Sequence, residues 1–448
     1  MRKILSTFVV FLLAILSINT SYASSATEQY IDIKLSKPLN RKDFINFSSN
    51  TGFSLVDSVN KDYIMDIQET NIIATLNNDS IYLMDSRDNI IIDLPKDGSI
   101  LIKSNTFNDS IITVEKDRYR DYIKLISRNN EILVINHVQL ENYLYGVVPA
   151  EMPASFHIEA LKAQAVAARS FTLSNLNKHI GEGFNLCDTT HCQVYSGVEY
   201  ERPVTNSAVD VTKGILAYYK GKVIEAIYHS TSSGFTEDSV NVWGGDVPYL
   251  KPVEDSFSSE SPYSNWKFSI GLNELNNNLK SSGVNIGDFQ GVEVIDATST
   301  GKVDKVKITG TIGEKIISGT EFRNIIGAGN FKSAWFTING GNNVGNKKVY
   351  VIDGSMNGVK NVDINNVYTL DDKNQKTVTR GRVNRAISKD RIEDMGRGQT
   401  TSTTELIIEG KGFGHGVGMS QFGAKKMAEL GYTFEEILKY YYTGIDIM

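Results

Sequence analysis

The sequence is poor in cysteine and proline. Cys187 and Cys192 are the only two cysteines in 448 residues, so at most one disulfide can form within the chain. Eight prolines occur, and no function follows from their scarcity. No cysteine follows the apolar segment near the N-terminus, so nothing marks a lipoprotein, and no second long apolar run exists. An excess of positive charge is also lacking, since 46 basic side chains face 52 acidic ones. Without Arg2 and Lys3 the count is 44 against 52, a balance of −8. A sequence-independent nucleic-acid binder needs basic patches to neutralise phosphates, so this balance speaks against nucleic acid. It leaves uncharged ligands open.

What is present begins with Arg2 and Lys3, an apolar run from Ile4 to Ile18, and the small-residue site Ser21-Tyr22-Ala23. This pattern predicts a secretory signal peptide over residues 1–23. The run is short of the ~20 apolar residues that span a bilayer. An uncleaved N-terminal anchor is the alternative, and the only membrane association the sequence offers. The remaining length allows two or three domains with real cores.

Residues 24–118 are expected to form a β-rich accessory domain. Ile31, Ile33 and Leu35 alternate on one face. Apolar runs at Tyr63–Ile67, 72–76, 81–84, Ile90–Leu94, 100–102 and Ile111–Val114 follow, separated by Asn/Asp turns. A helix is expected at 42–49. The region holds no histidine or cysteine, so it is read as a structural appendage, with wall or partner binding as the rival. Residues 119–448 are expected to form a mixed α/β domain with a polar insertion at about 340–405. The fold class is α+β.

A hairpin over 122–135, followed by 140–144, leads into an apolar, turn-rich stretch holding one carboxylate, Glu151, among Val147, Val148, Pro149, Ala150, Met152 and Pro153. Desolvation raises the pKa of such a carboxyl toward that of a general acid near neutral pH. A Glu on a solvated loop between two prolines is the plainer alternative. Tyr143 and Tyr145 are candidates to stack on sugar faces, or else core aromatics. Ser155 is the expected N-cap of the helix that follows. Ile158, Leu161, Ala165, Ala168 and Thr172 give that helix its apolar face, while Lys162, Arg169 and Lys178 are expected toward solvent or a partner.

Cys187 and Cys192, with His191 between them and His179 eight residues before Cys187, allow three readings. They are a short-loop disulfide, a tetrahedral zinc site, or two buried thiols. Gln193 and Tyr195 follow directly. Ser230, Thr231, Ser232 and Ser233 follow a strand and His229. No G-x-S-x-G elbow accompanies them, so a serine hydrolase is set aside. These hydroxyls are better placed as a hydrogen-bonding wall for a glycan. Trp243 and Tyr249 are stacking candidates, and Asp255 is a second-choice carboxylate. Near the C-terminus, Gly410–Gly418 carries five glycines in nine positions, which permit positive φ and close approach of backbone to a ligand. Their spacing fits no phosphate-binding loop. His415, Ser420 and Gln421 lie in this stretch.

Four blocks carry a resemblance to a known family. They are LENYLYGVVPAEMPASFHIEALKAQAVAARSFT at 140–172, CDTTHCQVYSG at 187–197, YHSTSSGFTEDSVNVWGG at 228–245 and GKGFGHGVGMSQFGAKKMAELG at 410–431. In order and content they resemble the stage II sporulation protein D / LytB amidase-enhancer family of bacterial cell-wall proteins. The resemblance leaves the first ~120 residues uncovered. It implies a lytic transglycosylase that cuts peptide-stripped peptidoglycan glycan strands, with Glu151 as catalytic acid and base. It implies a structural zinc held by cysteines and histidines of the 187–192 block. It also places Gln193, Tyr195, His415, Ser420 and Gln421 near the cleft. The family's other name implies a non-catalytic rival, a wall-binding enhancer of an amidase. A zinc amidase using Cys187, Cys192 and histidines is the remaining rival.

Overall fold

In the computed structural model, the structure describes residues 29–36, 44–77, 80–106, 110–339 and 405–448, together with the backbone of short strands between 348 and 394. The expected signal peptide and most of the expected insertion lie outside the described residues. Among the described residues, no helix is long and apolar enough to cross a membrane. The chain divides into two compact units. One runs to Tyr228 and includes Ala424–Met448, and the other is His229–Gly423. Helices and sheets are mixed in both, an α+β architecture.

In the first unit the alternating apolar runs form two sheets. A seven-stranded sheet has the order Leu186–Cys187, Tyr30–Lys34, Glu131–Gln139, Tyr122–Arg128, Ile100–Ser104, Phe53–Asp57, Tyr63–Ile67. A six-stranded sheet has the order Asp117–Arg120, Ile111–Val114, Phe44–Ser48, Asn71–Asn77, Ser80–Met84, Ile90–Leu94. Ile31, Ile33 and Leu35 are buried together as expected. Asn129 and Asn130 both take positive φ (52° and 59°), the geometry of a two-residue hairpin turn that matches strand twist.

One expectation differs here. The helix expected at 42–49 is instead the strand Phe44–Ser48, because Ile45 and Phe47 alternate into the core and the strand pairs with Asn71–Asn77. The division expected at residue 118 falls inside the strand Asp117–Arg120. Tyr30–Lys34 pairs along its length with Glu131–Gln139, so ladder hydrogen bonds join the two sides of that division.

The sheets lead into two helices, Leu140–Glu151 and Ile158–Ser174. Helices Pro203–Val211 and Phe434–Tyr441 pack on the second of them. Ser155 is not its N-cap. His157 takes that place, and its Nδ1 accepts from Glu159 N–H at 3.3 Å. Thr433 caps the last helix, Phe434–Tyr441, in a reciprocal box with Glu436.

In the second unit, Glu405–Lys411 lies between Trp266–Gly271 and Trp335–Asn339 in an antiparallel sheet. Phe289–Ala297, Val303–Gly310 and Gly313–Ser318 form another. Helices Leu272–Ser281 and Gly319–Ile326 bury Leu275, Leu279, Phe322 and Ile326 in their common core. Trp335–Asn339 and Glu405–Lys411, which flank residues 340–404 in the chain, are paired neighbours in this sheet.

Candidate functional site

Glu151 sits on a helix, not on a loop. Leu140, Tyr143, Leu144, Val147 and Val148 recur at helical spacing and are all buried. Pro149 falls in the last turn, where its missing N–H costs a single backbone bond. Met152 N–H closes the helix on Val148 O at 2.9 Å. At the other end Glu141 receives Arg169 twice, from Nε at 2.9 Å and Nη2 at 2.7 Å. Arg169, expected toward solvent, is fully buried, and it also donates to Val209 O and Ile215 O. The reason is this pairing. A guanidinium inside a core needs a carboxylate and further acceptors. The ion pair fixes the Glu151 helix to the alanine-rich helix beside it.

The Glu151 carboxylate is half-buried, and Oε1 accepts Val194 N–H at 3.0 Å. The residues flanking Val194 are anchors. Gln193 is buried, and its Oε1 accepts from Thr172 Oγ1 at 2.7 Å and from Tyr143 Oη at 3.3 Å. Its Nε2 donates to Ala168 O and to Tyr228 Oη. Tyr195 is buried and donates to Asn136 Oδ1 at 2.8 Å, while its ring lies 4.9 Å from that of Tyr143. Burial first holds the Tyr143 and Tyr228 hydroxyls well above their ordinary pKa, with Tyr195, Cys192 and then Glu151 adding to it at Tyr143 and Glu151 at Tyr228, so both stay protonated. Burial therefore removes Tyr143, Gln193 and Tyr195 from direct sugar contact. They position the segment that clamps Glu151. Tyr145 is partly exposed and donates to Asp210 at 2.5 Å.

The same segment carries a four-donor cluster. The ligating atoms of His179, Cys187, His191 and Cys192 all lie within 4.8 Å of one another. Both cysteines are free. A tetrahedral zinc with sulfur at about 2.3 Å and nitrogen at about 2.05 Å separates S and N ligands by about 3.5 Å. Here Cys192 Sγ lies 3.4 Å from His179 Nε2 and 3.5 Å from His191 Nδ1, and Cys187 Sγ lies 3.7 Å from His191 Nδ1. A turn closed by Cys192 N–H on Thr189 O gives the bent backbone that lets adjacent His191 and Cys192 converge. Glu182 Oε1 holds His179 Nδ1 at 2.6 Å and leaves Nε2 toward the sulfurs. Burial pushes the Cys192 thiol up to about 11, so a metal's charge is what would make it a thiolate. The donors fit zinc, with no position left open for a water.

The other expected site residues belong to the second unit. Thr231 and Ser232 turn inward. The Thr231 hydroxyl meets Ser261 Oγ at 2.7 Å, and Ser232 donates to Asp255 Oδ2 at 2.6 Å. Asp255 is itself fully buried, which withdraws it as a water-activating base. Ser230 and Ser233 keep partial exposure. The hydroxyl loop and the glycine-rich loop pair through Thr231 and Phe413, with bonds of 3.1 Å and 2.8 Å. His415 is partly exposed, accepts Val417 N–H on Nδ1 at 3.1 Å, and has its ring 5.2 Å from exposed Trp243. Ser420 is buried and accepts Gly423 N–H at 3.2 Å, capping the helix Gln421–Glu429, and Gln421 is nearly buried. The close approach expected of the glycines is to protein. A Cβ on Gly410 would stand 2.1 Å from the Trp266 ring, and one on Gly416 2.2 Å from the Trp335 ring. The positioning residues Glu141, Arg169, Thr172, Val194 and Tyr228 carry no sequence signal, because their partners lie far along the chain.

Residues 128–219 match the Stage II sporulation protein family. An uncharacterised protein of Brachyspira hyodysenteriae is 30% identical over 384 residues, 85% of each chain. The stage II sporulation protein D of Bacillus amyloliquefaciens is 30% identical over 70% of this chain and 75% of its own. The amidase enhancer of Bacillus subtilis is 31% identical over 68% of this chain, which spans 40% of that relative's length.

Proposed function

The chain belongs to the stage II sporulation protein D family, and from that premise we propose that it is a cell-wall protein acting as a peptidoglycan lytic transglycosylase. The observation that carries this reading is Glu151, a half-buried carboxylate at the end of a pinned helix, with one oxygen held by Val194 N–H. A glycosidase that uses water needs a second carboxylate across the bond. A transglycosylase does not, because the attacking oxygen is the 6-hydroxyl of the substrate's own N-acetylmuramic acid. Protonated Glu151 gives its proton to the glycosidic oxygen as the bond to C1 breaks. The resulting carboxylate takes the 6-hydroxyl proton as O6 bonds to C1, leaving a 1,6-anhydro end and a restored acid. Peptide-stripped strands are the proposed substrate, and the proposed place of action is the outer face of the cytoplasmic membrane or the wall.

His179, Cys187, His191 and Cys192 are proposed to hold a structural zinc. These four side chains, tied to one ion, would cross-link the segment that presents Gln193, Val194 and Tyr195, and so would stiffen the clamp on Glu151.

The name of the Bacillus subtilis relative supports a second reading, a non-catalytic enhancer of a wall amidase. Mass spectrometry of stripped glycan after incubation with the chain and with Glu151→Ala separates the two. The enzyme reading predicts anhydro-ended fragments from the first and none from the second. Intact glycan in both, with folded protein, leaves the enhancer.

A further inference from the structure

We propose that the second unit carries a glycan-binding subsite of its own, in the cleft at the Trp266–Trp335 end of its three-stranded sheet, which takes an N-acetylated pyranose. The cleft holds about 660 Å³, within the usual range for small-ligand sites. Trp266 and Trp335 stand on either side of the strand Glu405–Lys411. Each indole is fixed. Trp266 Nε1 donates to Gly412 O at 2.9 Å and Trp335 Nε1 to Thr300 O at 3.2 Å. Both rings press on glycine backbone where no Cβ would fit. Trp335 is only 6% exposed, so, with the N–H groups used internally, the aromatic carbon open to the cleft is that of the partly exposed Trp266.

Ser233, Thr300, Thr337 and Asn265 also line the cleft. The Thr300 hydroxyl already donates to Glu237 and that of Thr337 to Glu409 O at 3.4 Å, so each offers a ligand an acceptor, and exposed Asn265 adds an amide. An N-acetylated pyranose offers the complement, a C–H face for the Trp266 ring and a rim of hydroxyl and amide groups. The identity of the glycan rests on the cell-wall reading, but the affinity of the cleft for such a sugar does not.

The test is titration of the full chain bearing Glu151→Ala with the tetramer of N-acetylglucosamine, followed by tryptophan emission. Two of the three tryptophans line the cleft. Saturable binding is expected. Thr337→Arg, at an exposed position on the cleft wall, is expected to weaken it about tenfold, as is Trp266→Ala. Because Trp266 also packs in the core, Thr337→Arg is the deciding variant. Absence of binding, or unchanged affinity in Thr337→Arg, overturns the proposal. Failure of the wild-type chain to cut glycan overturns the transglycosylase and leaves this binding standing.

Discussion

Arg169→Ala is expected to cost about 3–5 kcal/mol, because it strands a buried carboxylate. The Arg169 side chain is fully buried and that of Glu141 is 10% exposed, so water does little to re-solvate what remains. The change also takes donors from Val209 O and Ile215 O, each bond worth about 1 kcal/mol, which places the loss in the upper part of that range. A domain is stable by only about 5–15 kcal/mol, so the first unit should melt well before the second. All three tryptophans lie in the second unit, so emission follows that unit while far-UV circular dichroism also sees the first. Urea unfolding should therefore show an early dichroism transition in the variant and an unmoved emission transition. Glu141→Leu with Arg169→Met removes both charges and should recover most of the loss. A loss below about 1 kcal/mol in Arg169→Ala would refute the reasoning, because that is the range of exposed pairs.

Removing zinc with a chelator should lower the melting temperature of the first unit, by a stability loss of about 4 kcal/mol when free zinc had stood a thousandfold above its Kd. Calorimetry before and after zinc is restored checks this, and Cys192→Ser should respond to neither. His229 is buried and held at a pKa of about 4 by desolvation, against an ordinary value near 6.5. Between these values the unfolded chain binds the extra proton. Stability present above about pH 6.5 is therefore lost as pH falls toward 4, by about 3 kcal/mol in all. Denaturation midpoints across that window should fall less in His229→Asn. Gly410→Ala sets a methyl against the Trp266 ring and should destabilise the second unit by about 1–3 kcal/mol, measured by urea unfolding.

Period-two alternation made most of the first unit's strands legible, since one face of each is buried. Phe44–Ser48 shows the same signal, yet five residues are too few to override a neighbouring helical reading. The helix Leu140–Glu151 was hidden by Gly146 and Pro149, although its apolar spacing is plainly helical. The four metal-binding candidates could be read from spacing because they fall within fourteen residues of chain. Arg169, Thr231 and Ser232 could not, since what turns each inward is a partner 28, 30 and 23 residues away. Glu151 stood out through its apolar neighbours and the family resemblance, whereas its clamp from Val194 is a backbone contact that no side-chain pattern encodes.

The most direct test of the central claim is to digest peptide-stripped glycan in ¹⁸O-labelled water and weigh the new ends. With Glu151 as the single acid and base and the 6-hydroxyl as nucleophile, the ends should be anhydro, carry no ¹⁸O, and vanish with Glu151→Gln. Reducing ends that carry ¹⁸O would contradict the account, because water would then be the nucleophile.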